Sequence, residues 1–162
     1  MHSRIFEFSS EPVTPEKRIG EADIPEFFCD GIADYVCDCT GEARIDSVDW
    51  LAGYLGDEVI ERIGDDAVRF KPNAKQAYFC KRHSEFCKLA RKVSNVSLEE
   101  FAGNQSLDFY SDMYSLRKAY DDKYAFYIYD DDDEELYTLD EWIRDMQEPH
   151  MVYIGGTVDY HF

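Results

Sequence analysis

The chain has 162 residues, enough for one domain that buries roughly 70% of its unfolded surface, and a hydrophobic content of 44% with 15% aromatics excludes global disorder. Its 35 acidic against 17 basic residues give a net charge of −18, which opposes direct binding to nucleic acid or an anionic membrane and favours a basic partner. The N-terminus MHSRIFEFSSEPV lacks the pattern of a signal peptide, no apolar run nears the ~18 residues of a membrane span, and five scattered cysteines read as free thiols; the expected location is cytoplasmic.

In chain order, residues 3–8 (Arg4 to Phe8 at their centre) read as a strand. The capping-box pair Asp23/Glu26 predicts a helix over Ile24 to Cys39, with Ile24, Phe28, Ile32, Tyr35 and Cys39 on one face and Gly41 as its stop. Two shorter helices are expected over Ser47 to Leu55 and Asp57 to Ile63, ended by Gly56 and Gly64. Asn73/Gln76 predicts the longest helix, Ala74 to Ser94, followed by helices over Ser97 to Ala102 (box Ser97/Glu100) and Leu107 to Tyr120. Residues 123–129 (KYAFYIY) read as a buried strand, and Thr138/Glu141 opens a short helix carrying Leu139, Trp142, Ile143 and Met146. The C-terminus MVYIGGTVDYHF predicts a hairpin with strands near 150–154 and 157–162 about Gly155-Gly156, placing Met151, Tyr153, Val158, Tyr160 and Phe162 on the core face. The expected fold is a single α+β domain over 1–162: a small, mainly antiparallel sheet packed against a helical layer from residues 24–120.

Charge is distributed in blocks. Glu21 to Asp66 hold 14 acidic and 2 basic residues, Ala67 to Val96 hold 1 and 8, and Ser97 to Phe162 hold 17 and 4. On the predicted first helix, Glu26, Asp30, Asp34 and Asp38 form a carboxylate ladder with a step of about 6 Å. Like charges four apart cost a helix about 0.2–0.5 kcal/mol per pair, so local stability does not explain the row. With the tract Asp130, Asp131, Asp132, Asp133, Glu134 and Glu135, it can imitate the regular charge of a nucleic acid strand; the plainer alternative is a solvated face. The basic residues Lys75, Lys81, Arg82, Lys88, Arg91 and Lys92 are expected to pair with these acids.

Three constellations suggest chemistry. Cys80, His83 and Cys87, with Cys37 and Cys39 on another element, would give zinc its ligands, but at unusual spacing, and His83 falls between Phe79 and Phe86 on an apolar stripe. The hairpin register sets His150 opposite His161 beside Asp159, a candidate transition-metal site. Counted as a calcium loop from Asp130, the acidic tract has Glu135 at the sixth position where glycine is needed, and Glu141 at the twelfth is already the capping partner of Thr138. No phosphate-binding glycine loop, G-x-S-x-G or H-E-x-x-H motif is present.

The sequence therefore points to a non-catalytic acidic binding protein without a cofactor, an inhibitor that covers the basic groove of a nuclease or other nucleic-acid-handling enzyme, as antirestriction, anti-CRISPR and immunity proteins do. Its expected contact residues are the ladder and the tract, with Tyr129, Tyr137 and Trp142 as aromatic anchors. The alternatives are a metal-dependent enzyme or zinc-binding domain, and an adaptor whose acidity serves solubility.

Overall fold

A computed structural model describes residues 1–103, 107–121 and 123–162. The protein is α+β: one seven-stranded, mostly antiparallel sheet with helices packed on it. The chain divides into a sheet unit, Met1–Lys75 with Lys123–Phe162, and a helical unit, Gln76–Asp122.

In the sheet unit, β1 (His2–Ser9), β2 (Tyr35–Asp38), β3 (Ile60–Ile63), β4 (Ala67–Phe70), β5 (Tyr127–Asp130), β6 (Glu135–Thr138) and β7 (His150–His161) run in the order β3-β4-β7-β1-β5-β6, with β2 also pairing β7. Only β1 and β5 are parallel. Both faces are buried. Ile5, Val158, Tyr160 and Tyr127 pack on Ile24, Phe28 and Ala33, with the Phe28 ring edge-on to Tyr127 and Tyr160 at 4.8 and 5.1 Å. On the opposite face Phe6 meets Phe126 at 5.4 Å and Phe8 meets Trp142 at 4.9 Å. That face is covered by α2 (Glu42–Leu55), through which Ser47 takes a hydrogen bond from Arg4, and by α6 (Leu139–Asp145).

The predicted hairpin at Gly155-Gly156 does not form: β7 is one continuous twelve-residue strand. The two glycines serve close approach instead of a turn. A Cβ on Gly155 would collide with the Glu7 carboxylate, and one on Gly156 with the backbone of Ile19. The register against β1 slips by one residue here, Phe6 facing Thr157 but Phe8 facing Ile154, which is a β-bulge. Because of that slip Tyr153, Val158 and Tyr160 lie opposite Ser9, Ile5 and Ser3 and so share one face, but of the five residues expected on the core face only Val158 and Tyr160 are buried; in the first half of β7 the buried residues are Val152 and Ile154, not Met151 and Tyr153.

Two predicted helices also give way to strands. The segment 57–63 enters β3, where Ile60 and Ile63 face Phe70 and Ala67 of β4, and Gly64 at φ 68° makes the hairpin turn instead of stopping a helix. The helix over Ile24 to Cys39 is reduced to α1 (Glu26–Gly31). The amides of Ile32 and Ala33 both close on the carbonyl of Phe28, and the β-prone run Tyr35-Val36-Cys37 takes the vacant edge of β7. Asp23 does not cap α1, whose N-cap is Pro25; its carboxylate accepts the Gly20 amide at 2.8 Å in the preceding 3-10 turn, Glu21–Asp23.

The edge of β7 facing away from β1 is shared: β4 takes residues 150–153 and β2 takes 158–161. Arg44 of α2, 5% exposed, fills the gap between them. Its Nε donates to the Gly155 carbonyl at 2.7 Å, a second nitrogen to the Ile154 carbonyl, and a third to Asp66 at 2.6 Å.

In the helical unit α3 (Ala74–Ser94), which begins in the sheet unit, and α5 (Leu107–Tyr120) have the predicted bounds, with α4 (Leu98–Phe101) between them. Asn73, at φ 67°, is no N-cap; the Glu148 carboxylate takes the amides of Asn73 and Lys75. The capping boxes at Ser97/Glu100 and Thr138/Glu141 form as expected, the Thr138 amide donating to Glu141 at 2.9 Å. Thr138→Ala should therefore lower stability by about 1 kcal/mol, read from the midpoint of chemical denaturation.

Candidate functional site

The acidic residues of the sheet unit are set by three segments: the 3-10 turn Glu21–Asp23, the α1–β2 stretch, and the turn between β5 and β6. Glu26, Asp30, Asp34 and Asp38 are all exposed, but they are not a ladder. Only the first two share a helix; Asp34 accepts from His161 Nδ1 at 3.1 Å, and Asp38 accepts the Glu21 amide at 2.6 Å. The helix ends at Gly31, Asp34 lies between α1 and β2 and Asp38 ends β2, so beyond Gly31 the four-residue spacing no longer stacks the carboxylates at one helical turn per step.

The tract from Asp130 to Glu135 is a hairpin turn, and much of it is engaged in making that turn. Asp130 accepts from the Trp142 indole at 2.7 Å and from the Asp132 amide at 3.1 Å; Asp132 accepts the Ser10 hydroxyl at 2.9 Å. The Tyr137 hydroxyl lies 2.8 Å from Asp133 and 2.9 Å from Glu135, and these two carboxylates hold its phenol well above the usual tyrosine range. Glu134, at φ 58°, occupies the left-handed turn position. Asp131 and Glu134 are exposed, and among the described residues neither side chain has a hydrogen-bond partner.

These segments meet around Tyr129. Its half-buried phenol is raised above its ordinary range first by burial, then by Glu134, Asp23, Asp131 and Glu7. Asp23 belongs to the first acidic block and Asp131 and Glu134 to the second, so carboxylates of both blocks act on the Tyr129 phenol. All the excess negative charge resides in the sheet unit, with 28 acidic against 10 basic residues, whereas the helical unit holds 7 of each.

The expected anchors are mostly occupied. Trp142 is 7% exposed, wedged between Phe8 and Phe70, and Tyr137 is held by two carboxylates. The α1–β2 stretch exposes two aromatics, Phe27, 66% accessible between Glu26 and Asp30, and Tyr35, which stacks on His161. Within α1 only Phe28 is buried, and Phe27, one position before it, points away from the core.

The proposed metal constellations do not assemble. His150 and His161 stand at opposite ends of β7, eleven residues or about 36 Å apart at strand rise. His150 lies against Trp142, while His161 stacks on Tyr35 at 5.3 Å, and Asp159 pairs with Arg4 and with His2 Nδ1 at 2.8 Å. On α3, Cys80 and His83 are exposed, not part of a core stripe, and Cys87 Sγ lies 3.4 Å from His83 Nε2. Among the described residues no group of three His, Cys, Asp or Glu side chains is arranged to hold an ion. The basic residues of α3 pair in part within the helical unit: Lys92 with Asp112 at 2.6 Å and Lys88 with Glu85 at 3.5 Å. Lys75 reaches the Arg144 carbonyl at 2.8 Å.

No helix among the described residues is long and apolar enough to cross a membrane. Comparison of the chain with protein-family models, with curated proteins and with solved structures finds no match.

Proposed function

We propose that this protein is a non-catalytic acidic binding protein that inhibits a nucleic-acid-handling enzyme by covering its basic groove. The observation that carries this reading is the meeting of Asp23, Asp131 and Glu134 around Tyr129, which gathers carboxylates from two distant parts of the sequence about one phenol of the unit that bears all the net charge. Such a cluster attracts cationic grooves over a Debye length and costs the free protein self-repulsion. Phe27 supplies the apolar contact that a purely electrostatic surface lacks.

Affinity capture from a native lysate in about 0.05 and 0.5 M salt tests the reading. Basic nucleic-acid-binding proteins retained at low salt, lost at high salt and released by added DNA or RNA support it; retention of only neutral or acidic proteins refutes it. Against a captured partner, Phe27→Ala should weaken binding by about 2 kcal/mol, roughly 30-fold, measured by calorimetry. The same substitution should leave the thermal midpoint nearly unchanged, because the ring is already solvated.

A further inference from the structure

The helical unit is short of a core. Among its described residues only Tyr78 is buried, and no residue of α4 or α5 is. A unit this small that removes so little apolar surface from water is marginal by itself. α5 carries two opposite stripes at helical spacing. Phe109, Asp112, Leu116 and Ala119 are half-buried and turned to α3, where Asp112 accepts Lys92 Nζ at 2.6 Å and the Ala119 carbonyl accepts Arg82 at 3.3 Å. On the other side Leu107, Tyr110 and Tyr114 recur at i, i+3 and i+7, flanked by Met113, and all four are exposed, Leu107 by 88%.

Charge decides what can cover this second stripe. The sheet unit carries the whole excess of −18, whereas the helical unit holds 7 acidic and 7 basic residues, so two chains that approach through their helical units meet without net repulsion. α5 is also polarised along its axis, with Asp108 in its first turn and Arg117 and Lys118 in its last. Arg117 pairs in addition with Asp121 of its own helix at 3.6 Å. When the helix is laid antiparallel on a copy of itself, about a two-fold axis near Tyr114, each acidic first turn meets the basic last turn of the other and the helix dipoles oppose. The same arrangement brings the Tyr110 ring to the cations of the facing helix. A parallel arrangement sets like charge against like.

We propose that α5 is the interface of a homodimer, two copies of the chain pairing antiparallel through Leu107, Tyr110 and Tyr114. A fourteen-residue helix is about 21 Å long, so the contact stands at the small end of specific interfaces and the dimer forms in the micromolar range. The dimer needs no basic partner and stands apart from the function proposed above.

Sedimentation equilibrium of the full chain between about 1 and 500 µM tests it. The mass should rise with concentration from 18.9 kDa toward twice that value. Leu107→Glu together with Tyr114→Glu should weaken the dimer by at least about 30-fold, at unchanged helix content by circular dichroism. Arg117→Glu with Lys118→Glu should weaken it about 10-fold, and adding Asp108→Lys should recover about threefold of that loss, because the two ends of the stripe then attract again with their signs exchanged. In the wild-type protein, amide hydrogen exchange across α5 should slow as concentration rises, a readout that holds even if the double glutamate variant does not fold. A mass of 18.9 kDa at every concentration, exchange in α5 independent of concentration, or a dimer indifferent to Leu107→Glu and Tyr114→Glu overturns the interface; no recovery on adding Asp108→Lys overturns the antiparallel pairing.

Discussion

Replacing Arg44 with alanine is expected to remove about 3 kcal/mol of folding stability, read as a shift in the denaturant midpoint at constant slope. The guanidinium is buried in the gap between β4 and β2, where neither neighbouring strand reaches the carbonyls of Ile154 and Gly155. Its removal leaves two buried acceptors without donors, each worth about 1–3 kcal/mol when unsatisfied, and deprives Asp66 of its closest cation. Asp66 is half exposed, so water offsets that second loss, and Asp66→Asn should cost less than about 1 kcal/mol. Arg44→Lys should fall between, because an ammonium cannot fork to two carbonyls and a carboxylate at once. A loss below about 1 kcal/mol for Arg44→Ala would mean that the gap closes by other means.

The second large effect concerns binding. Neutralising Asp23, Asp131 and Glu134 together (D23N, D131N, E134Q) should weaken association with a basic partner by about 10- to 100-fold, mainly through the association rate. The folded state should suffer little, since these side chains are exposed and the asparagine of D23N keeps an oxygen to accept the Gly20 amide. The decisive comparison is a second triple variant of equal charge, E42Q, D46N and D145N, on the helices that cover the other face of the sheet. If location matters, it changes affinity by no more than about threefold at physiological salt. If only net charge matters, the two variants weaken binding equally, and the solubility reading gains.

Part of this architecture is legible in the sequence alone. The helices α3 and α5 and the capping boxes of α4 and α6 follow from local signals, because an N-cap oxygen and an apolar period act within one or two turns of the same chain. The elements that differ from expectation depend on distant partners. The segment Ile24 to Cys39 satisfies a helical period as well as a strand alternation, and the free edge of β7, more than a hundred residues away, decides for β2. Gly155-Gly156 has the composition of a hairpin turn, but its glycines answer to Glu7 and Ile19. Buried Arg44, Glu7 and Asp159 carry no sequence signal, since among 52 charged residues nothing local marks these three, the charged ones buried among the described residues. The candidate site is half legible. The acidic blocks are plain in the charge map, but their meeting around Tyr129 follows from β1 pairing with β5 across 120 residues, which brings Glu7 beside Tyr129.

The most direct test of the account is equilibrium binding to a captured basic partner across a salt series, with and without duplex nucleic acid. The account predicts affinity falling steeply and linearly in the logarithm of salt, and a partner that holds either this protein or nucleic acid but never both. Binding indifferent to salt, or a stable ternary complex with nucleic acid, would contradict it.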